Sequence, residues 1–160
     1  MQERLFTTRQ EGRTSDDYDT PKWIFDALGI EFDLDVACPA DGPLYTPCKA
    51  YYTQEDDGLA QDWRGTVWMN PPYGHPKLWI KRFIEHGDGV AIVPFTKAVW
   101  HNALWQSNCQ SMAVGLNPNG RLFTFEKDGK SMPIFMPVCI WAAGEKCIEA
   151  IKQSGIGRVR

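Results

Sequence analysis

The sequence has five cysteines, Cys38, Cys48, Cys109, Cys139 and Cys147, but no Cys-x-x-Cys pair. An odd number at these spacings signals neither a zinc knuckle nor a disulfide framework. They read as reduced, non-catalytic thiols that pack as small hydrophobes. Histidine is scarce as well: His75, His86 and His101 fall at no ligand spacing, so no metal site is expected and the three rings read as structural or exposed. No apolar run approaches the ~20 residues that span a bilayer; stretches such as 138–143 are far shorter. The opening MQERLFTTRQEGRTSDD sets charges on both sides of two apolar residues and lacks the apolar core of a secretory signal, so a cytoplasmic location is expected. Internal repeats, low-complexity tracts and interior linkers are also missing.

What is present suits one folded unit. The chain has 160 residues with 43% hydrophobic and 12% aromatic content, close to the ~150 residues of one domain. Charged residues at 23%, with 14 Gly and 11 Pro, exclude disordered and collagenous chains. Residues 1–17 form a polar, charge-mixed arm and 18–160 a single domain. The net charge of −3 hides an asymmetry: residues 1–60 hold 5 Lys+Arg against 13 Asp+Glu, and residues 61–160 hold 12 against 7. An acidic front suits a cationic ligand and a basic back suits phosphates, although uneven solvated charge reads equally well.

Thr20 is placed to cap a helix over 20–28, with Pro21 in its first turn, an apolar stripe of Trp23, Ile24, Ala27 and Leu28, and a stop at Gly29. Phe32, Leu34 and Val36 alternate with Asp33 and Asp35, a strand running into the loop CPADGP. A second strand, 66–69, ends at Asn70-Pro71-Pro72, because proline cannot continue a ladder and restricts its predecessor. A helix over 76–86, a buried strand over 89–94 and a helix over 97–107 come next. Strands are expected at 111–115, 121–125 and 133–141 and a last helix at 145–153. Strands interleaved with helices, then a strand-rich tail, indicate an α/β sheet ending in an antiparallel hairpin.

The strongest local signal is Asn70-Pro71-Pro72-Tyr73-Gly74 at the end of a strand, where α/β folds bind their ligands. Two prolines fix the backbone, so the Asn70 side-chain carbonyl and a main-chain carbonyl can point outward together as paired acceptors for an amino group. Tyr73 adds a flat face suited to a planar heteroaromatic ring that carries this amine. The same five residues also read as a proline-rich turn with Asn as turn former and Tyr as packing.

On these residues the chain resembles the S-adenosylmethionine-dependent amino methyltransferases, whose motif IV is Asp, Asn or Ser, then Pro-Pro and an aromatic residue. The order Thr20-Pro21, FDLDVA at 32–37, DGL at 57–59, Trp63 and NPPYG is similar to the phage-type Dam family of DNA adenine methyltransferases. The resemblance spans about residues 18–141. It implies a Rossmann-like methyltransferase fold: a mostly parallel sheet with helices on both faces and an antiparallel C-terminal hairpin. That fold is reduced after motif I, since only 21 residues separate Asp35 from Asp57.

By the same resemblance Asn70, Pro71, Pro72 and Tyr73 are catalytic. Thr20 and Pro21 border the methionine part of S-adenosylmethionine as motif X, and Asp35 with Ala37 corresponds to motif I. Asp57 matches motif III, facing the cofactor's adenine amine. CPADGP departs from the glycine-rich turn of the wider superfamily, and the ribose-binding acid is left to Glu55 or Asp56. A carboxylate at a strand end can hold an ammonium group. Read from the residues alone, Asp33 or Asp35 is also a strand-edge charge, and Asp56-Asp57-Gly58 an ordinary turn. Lys77, Lys81 and Arg82 are candidate phosphate contacts or a solvated helix face.

The implied reaction is methyl transfer from S-adenosylmethionine to the exocyclic N6 amine of adenine in DNA, with the base flipped out or presented in a single strand. The resemblance also suggests a phage or prophage role in protecting DNA from host restriction. The arm 1–17 and the loops 74–77 and 116–132 are candidate DNA contacts. NPPY motifs occur too in methyltransferases acting on RNA guanine amines or protein glutamine. A catalytically inert, nucleic-acid-binding fold of the same kind is a third possibility.

Overall fold

The fold is described from a computed structural model, in which residues 18–113, 123–132, 137–157 and 159 are described. The expected arm 1–17 and parts of the expected strands 111–115, 121–125 and 133–141 lie outside these residues.

The elements in order are α1 (Lys22–Leu28), β1 (Phe32–Asp35), β2 (Cys48–Tyr51), β3 (Val67–Met69), α2 (Lys77–His86), β4 (Gly89–Pro94), α3 (Val99–Gln106), β5 (Gln110–Ala113), β6 (Phe125–Lys127), β7 (Lys130–Met132), β8 (Val138–Ala143) and α4 (Glu145–Gln153). Six strands form one sheet in the order β2-β1-β3-β4-β8-β5. The first four are parallel, and β8 runs antiparallel to both β4 and β5. The β6–β7 pair forms a separate antiparallel hairpin near the C-terminus. The architecture is a mixed α/β fold with a mainly parallel central sheet.

Apolar residues alternate across this sheet into two cores. Val90 and Ile92 of β4 and Ile140 of β8 pack with Ile24 and Phe25 of α1 and with Cys147 and Ile151 of α4. Ala91, Val93 and Trp141 face the other way, against Ile80 and Phe83 of α2 and Leu104 of α3. Helices therefore cover both faces, and β4 and β8 are buried along their whole length. Such double cover is what near-continuous apolar runs require.

Four sequence expectations are corrected. β2 was not expected, yet it pairs in parallel with β1, Leu34 opposite Ala50; a loop makes the crossover between them without a helix. The short connection between Asp35 and Asp57 thus contains a strand but no helix. Thr20 does not cap α1: Pro21 is the cap residue, the helix begins at Lys22, and no side-chain cap bond forms. The hairpin lies at 125–132 instead of a strand at 121–125. Its turn is Asp128-Gly129, both at positive φ (51° and 75°), as a two-residue turn between twisted strands demands. Finally, the last long strand, Val138–Ala143, runs two residues past its expected end at 141.

Among the described residues no helix is long and apolar enough to cross a membrane. All five cysteines are free, and burial pushes each thiol above its ordinary range.

Candidate active site

The parallel strands β1 and β3 end side by side, Asp35 opposite Trp68, and the chain leaves β3 directly into Asn70. The two prolines after it direct the chain toward α2. Pro71 is buried, and the Pro72 carbonyl accepts the His75 N–H at 3.3 Å, which closes the turn ahead of that helix. Among the described residues neither the Pro71 carbonyl nor Asn70 Oδ1 accepts a hydrogen bond. Asn70 Nδ2 lies 3.5 Å from the Tyr18 carbonyl, a weak contact that places the donor end inward and leaves the acceptor end available.

Two depressions meet at Asn70 and Ala37, which line both. The larger, about 270 Å³, is bounded by Cys38, Thr53, Gln54, Asp57, Gly58, Pro72, His75 and Trp79. That is near the lower end of small-molecule sites, roughly 300–1,000 Å³. The smaller, about 10 Å³, lies among Thr20, Asp35, Trp68 and the 43–46 segment and is nearly closed.

Asp35 is 2% exposed. Burial pushes its carboxyl up to about 7, and the nearby Asp19 carboxylate adds to the rise; the Ala37 N–H and the Thr46 hydroxyl hold it back in part. The Ala37 N–H donates to Asp35 Oδ1 at 3.2 Å. Thr20, 5% exposed, lines the same depression, and its Oγ1 is buried without a hydrogen-bond partner. The depression thus holds a hydroxyl unmatched among the described residues and a carboxyl whose proton desolvation favours. Asp33 serves differently. It accepts the Thr66 N–H at 2.9 Å and pairs with Lys49 at 3.0 Å, which together hold its carboxyl below the usual range. It is the strand-edge charge, tying β1 to its neighbours.

The loop that carries Asp57 is shaped by residues around it. Gly58 is seated where a Cβ would come within 2.2 Å of the Val36 carbonyl, so only glycine allows the loop onto the end of β1. The Trp63 indole N–H donates to the Gly58 carbonyl at 2.8 Å. Arg82 of α2 lies over the Trp63 ring, 4.9 Å from its centroid, and donates to the Leu59 and Gln61 carbonyls. Asp57 itself stands at φ 53° and lines the larger depression. Of the other acids suggested for the ribose, Asp56 accepts the Thr53 N–H at 2.8 Å to close the turn, and neither it nor Glu55 lines the depression. Gln54 and Thr53 do, and nothing in their local sequence signalled it.

Tyr73 takes the packing position that its motif also allowed, and not the open stacking face. Its ring packs edge-on against Phe125 of the hairpin, centroids 6.1 Å apart, and its hydroxyl donates to the Ile92 carbonyl at 3.4 Å. Burial holds the phenol well above its usual pKa. The ring lines neither depression. The hairpin is anchored beside the site by paired backbone bonds between Asp19 and Glu126, at 2.7 and 2.9 Å. The three helix cations also divide: Arg82 is spent inside the fold, Lys81 lies 3.8 Å from Glu85, and Lys77 is exposed. His101, 1% exposed, is a packing residue between Phe95 and Trp141, and His75 sits at the rim of the larger depression.

Thr20, Asp35, Asp57 and Asn70, far apart in the chain, therefore converge at the carboxyl edge of a mainly parallel sheet, the arrangement of an α/β protein that binds a small ligand at its strand ends. The chain belongs to the DNA N-6-adenine-methyltransferase (Dam) family, whose family model matches residues 7–124. It is similar to the DNA N-6-adenine-methyltransferase of Haemophilus phage HP1, 37% identical over 71 residues, which cover 41% of this chain and 39% of that protein. It is also similar to the DNA N-6-adenine-methyltransferase of Escherichia phage T1, 35% identical over 57 residues, covering 34% of this chain and 23% of that one. The chain thus spans less than half the length of either phage relative. No solved structure matches.

Proposed function

We propose that the chain methylates DNA, transferring the methyl group of S-adenosylmethionine to the exocyclic N6 amine of adenine on a Rossmann-like domain formed by residues 18–160. Membership of the Dam family supports the reaction class, and both phage relatives carry that activity in their names. The observation that carries the reading is Asn70: an acceptor unused among the described residues, on a proline-fixed turn at the junction of the two depressions.

The residues present fit the cofactor. Asp35 and the orphaned Thr20 hydroxyl suit its methionine ammonium, Ala37 borders that end, Pro21 lines neither depression and instead caps α1, and Asp57 can accept its adenine amine. The walls of the smaller depression must move apart for an amino-acid headgroup to enter, since about 10 Å³ holds no more than a water. When bound, S-adenosylmethionine supplies a methyl group activated on a cationic sulfur.

The chain's own part is to present the amine. The lone pair of adenine N6 is delocalised into the ring, and hydrogen bonds from its two hydrogens to Asn70 Oδ1 and the Pro71 carbonyl favour a pyramidal, nucleophilic nitrogen. No covalent bond to the enzyme is needed, and the proton leaves to solvent after attack. In a duplex this amine is engaged in pairing, so the base flips out or arrives single-stranded. Tyr73, seated on Phe125 and the Ile92 carbonyl, steadies the turn that presents Asn70.

The test is incubation of the protein and S-adenosylmethionine with unmethylated DNA, digestion to nucleosides and mass spectrometry. N6-methyldeoxyadenosine in the wild-type reaction and its loss with Asn70→Ala are expected. Methyl transfer to RNA or to protein glutamine in its place would refute the reading.

A further inference from the structure

We propose that the segment following β4, Phe95 to Val99, is a DNA-docking lip beside the target-base site, with Lys97 on a backbone phosphate and the Phe95 ring against bases flanking the extruded adenine. The inference rests on the methyltransferase reading above. β4 neighbours β3 in the sheet, so its carboxyl end opens on the same edge as Asn70 and Tyr73. The Tyr73 hydroxyl reaches the carbonyl of Ile92, three residues before Phe95.

The lip is built rigidly and left uncovered. The Phe95 N–H donates to the Pro137 carbonyl at 2.8 Å, and the ring rests edge-on against His101, 5.2 Å between centroids. His101 is itself buried and bonded to the Thr96 carbonyl at 2.9 Å. Yet Phe95 is 53% and Val99 84% exposed, with half-exposed Trp105 further along α3. A supported aromatic ring held out to water marks a contact surface.

Charge selects the partner. From 89 to 125 the sequence contains no Asp or Glu, and Lys97 stands exposed within the lip. In a chain of net charge −3, an exposed lysine with no acid near it in sequence is a surface that tolerates a polyanion. DNA answers both features, offering a phosphate to Lys97 and a flat base to Phe95. A flipped base also leaves a gap in the stack that an apolar side chain can enter.

The experiment pairs two assays on the full chain: methyl transfer to unmethylated genomic DNA, and anisotropy of a fluorescein-labelled random-sequence duplex over a range of salt. Phe95→Ala should raise KM for DNA and the duplex Kd about 10-fold, within the span expected for one stacked base. KM for S-adenosylmethionine should stay unchanged, and Phe95→Trp should restore binding. Lys97→Gln should reduce the slope of log affinity against log salt by about 1.

If the wild type methylates DNA while these variants keep wild-type KM and salt slope, the lip is wrong and the methyltransferase reading stands. If the wild type methylates nothing, that reading fails, and anisotropy, which needs no turnover, still decides the lip. Should Phe95→Ala instead split a dimer in sedimentation without changing DNA affinity, the patch is a contact between copies and the proposal is overturned.

Discussion

Asp35 makes the site's chemistry measurable without any turnover. Its carboxyl titrates at about 7 in the fold against an ordinary value of 3.8. Between those two pH values the folded chain keeps the proton that the unfolded chain has lost. Stability contributed by this group is therefore highest below pH 3.8, falls as pH rises through the window, and reaches its full loss above pH 7. A gap of about three pH units at ~1.4 kcal/mol each corresponds to ~4 kcal/mol. Asp35→Asn keeps the shape and removes the titration. The wild-type unfolding free energy minus that of the variant, measured by denaturant melts from about pH 4 to about pH 8, should fall steadily with pH.

S-adenosylhomocysteine, which carries the same ammonium, should bind the wild type more tightly as pH rises toward 7, about tenfold per pH unit, and then level off, because only the carboxylate pairs with it. The variant should bind it weakly at every pH. A stability difference that does not change with pH would show that Asp35 does not titrate in this window. A pH-independent ligand affinity would remove it from the ammonium site.

Asn70→Ala should lower kcat on DNA about 100-fold or more while S-adenosylmethionine affinity, measured by calorimetry, stays near wild type; a twofold loss would mean the turn is structural only. Tyr73→Phe forfeits one 3.4 Å hydrogen bond to Ile92 and should cost no more than about 1 kcal/mol of stability with turnover within a few-fold. Tyr73→Ala should lose turnover, and a Phe variant as inactive as Ala would assign the phenol a chemical role. Arg82→Gln should raise KM for S-adenosylmethionine about 10-fold with KM for DNA unchanged, because the Leu59 and Gln61 carbonyls that Arg82 grips belong to the loop bearing Asp57. Arg82→Lys should not rescue it, since an ammonium cannot reproduce the two-pronged donation; rescue would reduce the contact to simple charge.

Where local rules act alone, the chain was readable. The 145–153 helix and the 89–94 strand appear at their expected bounds. Gly29 and Gly87 end their helices in the left-handed conformation that a Cβ resists. β2 was not readable, because Cys48-Lys49-Ala50-Tyr51 is four residues long, mostly exposed and without a β-branched residue. It is an exposed edge strand held by pairing to β1, which no local pattern encodes. The hairpin did have a signal, Asp128-Gly129 between short polar segments, a strong two-residue turn pair that the apolar pattern around 121–125 obscured. The insertion of β8 between β4 and β5 is a long-range pairing, invisible from spacing.

The site divides along the same line. Its motifs name the residues that meet ligands, but what aims them lies elsewhere. Whether Asp56-Asp57-Gly58 is an ordinary turn or a binding loop depends on the Val36 carbonyl that excludes a side chain at Gly58, on the Trp63 indole and on the Arg82 guanidinium. Arg82 read from sequence as a phosphate contact or a solvated face, because a cation's partners are set by the fold. The choice between Asp33 and Asp35 likewise turns on Lys49 in the unanticipated β2, which engages Asp33, while Asp35 lines the same depression as Thr20. An acid's assignment to structure or to ligand is thus decided by which cation the tertiary fold brings to it, and Asp35, given no ion pair among the described residues, is the one proposed for a cation from outside.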